Sequence, residues 1–159
     1  MSHRKTQTAV EAPLAVRIRS ARAGDLAAVI AIDAENTGVA KASYWKERFE
    51  WYAGQKPDRF FLVAERDQAI LGFIVGEVRA WEFGSPPSGW IFAIGVAEAD
   101  RVRGLGTMLF EEICDEFRKA GAPYVRTMLA KDDHLLMSFF RSLGMMAGPF
   151  IQLEKRLER

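Results

Sequence analysis

The feature that most constrains the fold is a buried strand that runs directly into a glycine-rich helix entrance. The apolar run "WIFAIGV", residues 90–96, is typical of a strand that is buried on both faces. The turn "AEADRVRG" follows it. Apolar residues then repeat every four positions, as they do on one face of a helix: Leu105, Leu109, Ile113 and Phe117. A strand–turn–helix unit of this kind belongs in a sheet that is covered by helices.

The turn itself predicts an anion site. The first amides of a helix have no partners within the helix, and the helix dipole places partial positive charge there. Glycines at 104 and 106 let a phosphate approach the backbone, and Arg101 and Arg103 can add charged hydrogen bonds. No Gly-Lys-Ser/Thr follows, and the third glycine of a dinucleotide fingerprint would fall on Leu109. A diphosphate cradle is therefore favoured over nucleotide hydrolysis, with a simple tight turn as the alternative.

The rest of the chain predicts a mixed sheet of the α/β class, twisted and flanked by about four helices. The predicted order is β-α-α-β-β-β-α-β-α-β, in one domain over residues 14–159 after a flexible tail at residues 1–13. Two strands near residues 59–65 and 69–83 read as a hairpin, and residues 84–89, "GSPPSG", read as a loop. The last predicted strand is "FIQLEKRL", residues 150–157.

Composition narrows the class of protein. The chain has 159 residues with 22 basic and 21 acidic side chains, and this near-balance argues against broad nucleic-acid binding. No apolar run approaches the roughly 18 residues of a membrane span, so no membrane partner is expected. The single cysteine, Cys114, lies within the helical pattern and predicts a buried thiol. We expect a cytoplasmic protein.

Three stretches resemble the GNAT superfamily of acyl-CoA-dependent N-acyltransferases. These are "IRSARAGDLAAVIAID", "IGVAEADRVRGLGTMLF" and "DHLLMSFFRSLGM". The second is similar to the pyrophosphate-binding motif of that family. The resemblance implies a GNAT-like fold, acetyl-CoA as acyl donor and no metal ion. It also implies direct attack of an amine on the thioester, without a covalent enzyme intermediate.

The resemblance implies which residues bind the coenzyme. The strand end would run along the pantetheine, with the Val96 amide on the thioester carbonyl, and the helix entrance would hold the pyrophosphate. Gly95 would fit a bulge where this strand leaves its neighbour, or would serve close packing. The full implied set is Ile94, Gly95, Val96, Arg101, Val102, Arg103, Gly104, Leu105, Gly106, Thr107, Asp133 and Phe140.

Two positions depart from the family pattern. Phe140 stands where many members carry the tyrosine that protonates the leaving thiolate, and Trp90 stands where some carry a glutamate base. The remaining candidate bases are Glu77 and Glu82 on the preceding long strand. Each carboxylate could relay a proton through water or could pair with an arginine.

The acceptor is left open between a small-molecule amine and a protein amine. Residues 44–52 and 84–89 are expected to contact it. An aromatic set, whose other interpretation is a packed core, is expected nearby: Tyr44, Trp45, Phe49, Trp51, Tyr52 and Trp81. The short C-terminus predicts an exposed sheet edge that a homodimer would cover. The alternative functions are a catalytically idle CoA-binding module with a regulatory or scaffolding role, and plain nucleotide or phosphate binding without CoA.

Overall fold

Five strands form one sheet in which spatial order follows chain order. The computed structural model describes residues 15–101 and 104–158. Neighbouring strands are antiparallel from the first to the fourth, and the fifth is parallel to the fourth. The strands are β1 (Arg17–Ser20), β2 (Arg59–Arg66), β3 (Ala69–Arg79), β4 (Ser88–Val96) and β5 (Tyr124–Thr127). The predicted loop therefore ends before residue 88, since Ser88 and Gly89 belong to β4.

The described residues contain four α-helices: α1 (Leu26–Thr37), α2 (Ala42–Tyr52), α3 (Leu105–Lys119) and α4 (His134–Ser142). The chain divides into two compact units, Met1–Thr127 with the sheet and the first three helices, and Met128–Arg159 with α4. The mixed sheet, the α/β class and the predicted order through α4 are confirmed. No helix in the described part of the chain has the length and apolar character that crossing a membrane requires.

The predicted last strand is wrong. Residues 145–158 contain no strand, and Ile151 and Leu153 are exposed. Alternating apolar residues express a preference for extended backbone, but a strand also needs a partner for its amide and carbonyl groups. Along this segment the structure records no pairing, so the pattern alone does not produce a strand.

The hairpin of β2 and β3 closes as the sequence predicts. Its two turn residues, Asp67 and Gln68, both have positive φ, at 53° and 64°. This is the backbone that a two-residue hairpin turn requires to match the twist of its strands. The turn pairs Arg66 with Ala69, and a register shift between Ala64 and Glu65 then brings Glu77 of β3 opposite Arg59 of β2.

Glycines form the sheet surface under α3. A side-chain carbon added at Gly89 would lie 2.2 Å from the ring of Phe117, and one at Gly76 would lie 2.7 Å from the same ring. At Gly72 it would lie 3.2 Å from Leu109. The missing side chains thus let α3 lie close to β3 and β4, which directs its first turn toward the end of β4.

Aromatic side chains fill the other face of the sheet, under α1 and α2. Trp45 of α2 packs edge-on against Phe73 of β3 at 5.1 Å between ring centroids, and Phe49 packs against Phe61 of β2 at the same separation. The Trp45 indole donates a 2.7 Å hydrogen bond to the buried carboxylate of Asp33 on α1. This bond connects the two helices inside the core.

The start of α1 is anchored by a charged cluster. Arg19 of β1 bonds both Asp25, at 2.7 Å and 3.0 Å, and Glu65 of β2. Burial acts to raise the pKa of Asp25, but hydrogen bonds from Arg19 and the Arg22 amide outweigh it, so that pKa lies below its ordinary value. Asp25 accepts a 2.7 Å hydrogen bond from the main-chain amide of Arg22, just before α1 begins.

Candidate active site

The site is built around a gap between β4 and β5. These strands pair from Ser88 with Tyr124 to Ile91 with Thr127. The Thr127 hydroxyl donates a 3.0 Å hydrogen bond to the Ile91 carbonyl at the last paired position. In the described residues β4 then continues to Val96 without a strand on this side. β5 ends at Thr127, so the paired part of β4 stops at Ile91, and the divergence of the two strands stays a prediction.

Two amides of β4 point into this gap. Backbone groups alternate along a strand, so that successive residues direct their amides to opposite neighbours. The Ala97 amide donates 2.8 Å to the Leu71 carbonyl on the β3 side. The amides of Ile94 and Val96 consequently point the other way, toward the side that β5 leaves open. They are donors for a ligand that lies in the gap.

The bulge lies at Phe92, and the predicted bulge at Gly95 is wrong. Val75 pairs with Ala93 while Gly76 pairs with Ile91, so Phe92 is the extra residue. Gly95 stays in register with Phe73. A side-chain carbon at Gly95 would lie 2.6 Å from the Phe73 ring and 3.2 Å from the Asn36 amide nitrogen. Its role is the close packing that was the alternative interpretation.

The entrance of α3 follows directly after β4. The helix starts at Leu105, and its cap residue Gly104 has a φ of 72° in the left-handed region that favours glycine. Gly106 and Thr107 lie in the first turn, whose amides lack partners within a helix. Space beside Gly104 is open, since an added side-chain carbon would meet nothing within 4 Å. The predicted residues Val102 and Arg103 lie outside the described residues.

Arg101 is bound to the end of α1. Its guanidinium donates to the side-chain carbonyl oxygen of Asn36, the residue that also contacts Gly95. The neighbouring Glu35 carboxylate accepts a 3.0 Å hydrogen bond from the Glu98 amide. The end of α1 therefore holds the chain segment between β4 and α3. This arrangement gives Arg101 a structural contact that the sequence motif does not indicate.

Glu77 belongs to a side-chain cluster on the α1 and α2 face of the sheet. Its carboxylate accepts hydrogen bonds from the Tyr52 hydroxyl at 2.9 Å and from the Arg79 Nε at 2.8 Å. Burial, together with the hydrogen bond to Glu77, raises the pKa of Tyr52 to about 12. The phenol is therefore protonated at neutral pH and acts as the donor in this pair.

Arg79 lies over the aromatic residues at the start of the gap. Its guanidinium carbon is 5.4 Å from the centroid of the Trp90 ring and 5.2 Å from that of Phe92. Tyr52 contacts Phe92 edge-on at 5.5 Å. The sequence places Glu77 and Arg79 on one strand face but gives no signal that Tyr52, on a different element, completes the cluster.

The second candidate base, Glu82, lies apart from this cluster. It is exposed in a short turn in which the Trp81 amide bonds the Ser85 carbonyl at 2.8 Å. Trp81 and Phe83 both have positive φ in this turn, a backbone that bulky residues rarely adopt. Of the two candidates, Glu77 is the one that the fold brings into a side-chain cluster, and it lies opposite Trp90 of β4.

The predicted aromatic set is divided between core and surface. Three members are buried and pack in the core: Trp45, Phe49 and Tyr52. Three are exposed: Tyr44, Trp51 and Trp81. The packed-core interpretation thus holds for half of the set. Tyr52 links that core to the cluster of Glu77 and Arg79.

The residues predicted on α4 have local roles within the second unit. Asp133 caps the helix, because its carboxylate accepts a 3.0 Å hydrogen bond from the Leu136 amide. Phe140 is buried and contacts Phe139 edge-on at 5.2 Å.

Cys114 of α3 is buried as predicted, and burial raises the pKa of its thiol to about 11, which does not suit a nucleophile. Among the described residues, no group of three or more His, Cys, Asp or Glu could hold a metal ion.

Several solved structures with this architecture are named as acetyltransferases. An aminoglycoside N-acetyltransferase AAC(6')-Iy in complex with CoA superposes with a TM-score of 0.80 at 15% identity, over 92% of this chain and 98% of that one. The aminoglycoside 6'-N-acetyltransferase AAC(6')-IG of Acinetobacter haemolyticus gives a TM-score of 0.73 at 20% identity, over 89% and 99%. At these identities the likeness shows a shared fold.

Sequence comparison supplies the family. An L-2,4-diaminobutyric acid acetyltransferase of Nocardia farcinica (strain IFM 10152) is 28% identical over 87 residues, which are 55% of this chain and 44% of that protein. The match thus spans less than half the length of that relative. The model of the Acetyltransferase (GNAT) family matches residues 26–145, from the first residue of α1 to beyond the end of α4. With that match over most of its length, the chain belongs to the GNAT family of acetyltransferases.

Proposed function

We propose that this protein transfers an acetyl group from acetyl-CoA to a primary amine by direct attack, in a ternary complex. The observation that carries the proposal is the pair of free-pointing amides at Ile94 and Val96, which lie on the same stretch of chain as the open entrance of α3. An acetyl-CoA molecule that lies along β4 would contact the Ile94 and Val96 amides with its pantetheine and thioester. Its pyrophosphate would then reach the entrance of α3. The acetyltransferase family match and neighbours solved with CoA support the same donor.

We assign the coenzyme contacts largely to the backbone. The first turn of α3, with Leu105, Gly106 and Thr107, would hold the pyrophosphate, because its amides and the helix dipole favour an anion. Val102 and Arg103, which lie outside the described residues, are assigned to the same pyrophosphate from the sequence motif. The Ile94 and Val96 amides would bond the pantetheine and the thioester carbonyl. Asp133 and Phe140 are assigned to the same coenzyme by family resemblance.

When bound, acetyl-CoA supplies a thioester carbonyl that an amine can attack. An amide of β4 that accepts the developing negative charge on that oxygen would lower the barrier, as in other oxyanion sites. The thiolate can leave with little help, since an ordinary thiol has a pKa of about 8.5. Phe140 has no hydroxyl to protonate it, so solvent would do so.

The attacking amine must also lose a proton. We assign this step to Glu77 acting through water, because its carboxylate bonds Tyr52 and Arg79, and Arg79 contacts Trp90 and Phe92 of β4, whereas Glu82 lies on an exposed turn. Comparison of Glu77→Gln with Glu82→Gln tests the assignment. We expect the acid limb of the kcat/KM profile to change in the first variant and not in the second. A pH profile that is unchanged from the wild type in both variants would exclude both carboxylates as the base.

The donor site is tested by Gly106→Glu with calorimetric titration of CoA. A glutamate in the first turn of a helix favours the helix dipole, so the fold is expected to survive. Its carboxylate would repel the phosphates and occupy their place, so we expect CoA affinity to fall at least about a hundredfold. Unchanged affinity in the folded variant would contradict the proposal. CoA binding without release of CoA in the presence of any amine would indicate the idle module instead.

A further inference from the structure

Arg79 has hydrogen-bonding capacity that the proposed reaction does not use. Its Nε is taken by Glu77, and its two terminal nitrogens have no hydrogen bond to any residue that the structure describes. The side chain is 39% exposed. A guanidinium binds carboxylates through two parallel N–H groups, and the terminal edge of Arg79 is free for that arrangement.

This guanidinium is held in place by its neighbours. The Trp90 and Phe92 rings lie within 5.4 Å and 5.2 Å of its central carbon, and Glu77 fixes its inner edge. Glu77 is in turn fixed by the hydroxyl of the buried Tyr52. A cation that is already oriented loses little further freedom when it binds an anion, which increases both affinity and selectivity. The Arg79 guanidinium is therefore already oriented to bind an anion.

Two arginines act at this point, and each of them has a carboxylate partner. Both oxygens of Glu77 already accept hydrogen bonds. The charges of Arg48 and Arg79 both act on the Tyr52 hydroxyl, where they oppose the rise in its pKa. The buried Nε of Arg48 has no partner in the described part of the chain. Arg48 itself pairs with Glu47 at 3.5 Å, so the terminal edge of Arg79 is the group here that an anionic part of an acceptor would meet.

We propose that Arg79 binds a carboxylate of the acceptor, so that the acceptor class is primary amines that also bear a carboxylate. The inference rests on the proposed acetyl transfer and narrows its substrate. Trp90 and Phe92 flank Ile91, the last residue of β4 that pairs with β5. A carboxylate at Arg79 therefore places a short amine at the start of the gap, on the face of the sheet opposite α3.

The test compares acceptors that differ in the carboxylate alone. Suitable pairs are 2,4-diaminobutyrate with 1,3-diaminopropane, and ornithine with putrescine, and 2-aminoethyl phosphate serves as a third arm. Steady-state kcat/KM is measured for the wild type, Arg79→Gln and Arg79→Lys. Arg118→Gln is the matched control, because Arg118 forms an exposed ion pair on α3. CoA affinity is measured for each variant.

We expect the wild type to prefer the carboxylate-bearing member of each pair by roughly tenfold to a hundredfold, the range for a charged hydrogen bond. Arg79→Gln should bring the kcat/KM ratio between the two members of each pair close to one; because Arg79 also bonds Glu77, this ratio, and not the absolute diamine rate, is the readout. Arg79→Lys should be intermediate, since lysine keeps the charge and loses the fork. Arg118→Gln should behave as the wild type.

Several results would overturn the inference. These are equal loss for both members of a pair in Arg79→Gln, a wild-type preference for the diamines, or a preference for the phosphate over the carboxylates. Where CoA binds but no amine is acetylated, titration of the same pairs into the CoA-loaded protein applies the same criterion. Loss of CoA binding in the wild type would instead contradict the proposed function itself.

Discussion

The two faces of the sheet are built in opposite ways. On the α3 face, Gly72, Gly76 and Gly89 remove side chains so that the helix lies against the strands. On the α1 and α2 face, large aromatic and charged side chains project from the strands and meet residues from helices. The first face carries α3, whose first turn presents backbone amides. The second face carries the cluster of Tyr52, Glu77 and Arg79.

This difference indicates how a donor and an acceptor can be recognised by separate means. Backbone amides present the same donors whatever the side chains are, so they suit a ligand that does not vary. Side chains can be exchanged one at a time, so they suit a ligand that distinguishes one protein from another. We therefore expect substitutions on the glycine face to affect folding and donor binding, and those on the aromatic face to affect local stability and acceptor choice.

The largest effect is expected from Gly89→Val. A side-chain carbon at this position would lie 2.2 Å from the Phe117 ring, so that α3 would have to move away from the sheet. We expect a loss of at least about 3 kcal/mol in the free energy of unfolding, at the upper end for overpacked cores. Denaturant unfolding measures it. Gly148→Val is the control, because a side-chain carbon added at Gly148 would meet nothing within 4 Å. A change within about 0.5 kcal/mol in the free energy of unfolding is expected there.

Asp33→Ala tests the aromatic face in the same way. The variant leaves the buried indole N–H of Trp45 without its acceptor. An unsatisfied buried donor costs about 1–3 kcal/mol, so we expect a loss of that size in the free energy of unfolding with CoA affinity unchanged. Asp33→Asn retains an acceptor and should lose less. Equal losses in the two variants would show that this hydrogen bond is not the cause.

Glu77→Gln tests the cluster of Tyr52, Glu77 and Arg79 through the pKa of Tyr52. The pKa of Tyr52 is raised to about 12 by burial and by Glu77, so removing the carboxylate charge should lower it, with burial keeping it above its ordinary value. In the wild type this contribution to stability is complete below a pH of about 10 and is lost as the pH rises toward 12. Ultraviolet titration of the tyrosines measures the shift. An unchanged titration curve would contradict the coupling.

The smallest effect is expected from Arg101→Ala. Arg101 is exposed and donates to Asn36, so the helix entrance is held mainly by backbone geometry. We expect CoA affinity to change by less than about threefold, within the range for an exposed polar contact. Calorimetric titration measures it beside Gly106→Glu. A loss greater than tenfold would show that the donor site depends on this side chain as well.

Much of the fold could be predicted because its signals are local. The hairpin turn, the β4 strand and the start of α3 each depend on residues within a few positions of one another. The final strand at residues 150–157 was predicted wrongly because a strand requires a partner, which no local pattern supplies. Gly95 was misplaced for a related reason: an extra residue in β4 depends on how β3 pairs with it, and that pairing places the bulge at Phe92.

The sequence by itself determined the order of strands and helices through α4, the glycine-rich entrance of α3 and, through its motifs, the resemblance to the GNAT family. These follow from short-range patterns, since helix periodicity, strand alternation and glycine at positive φ act within one turn or one strand. The tertiary structure alone decided which side chains meet. Tyr52 lies 25 residues from Glu77 along the chain, and their hydrogen bond depends on the packing of α2 onto β3. Arg79 reaches the rings of Trp90 and Phe92 because strand register and a bulge bring them to one face.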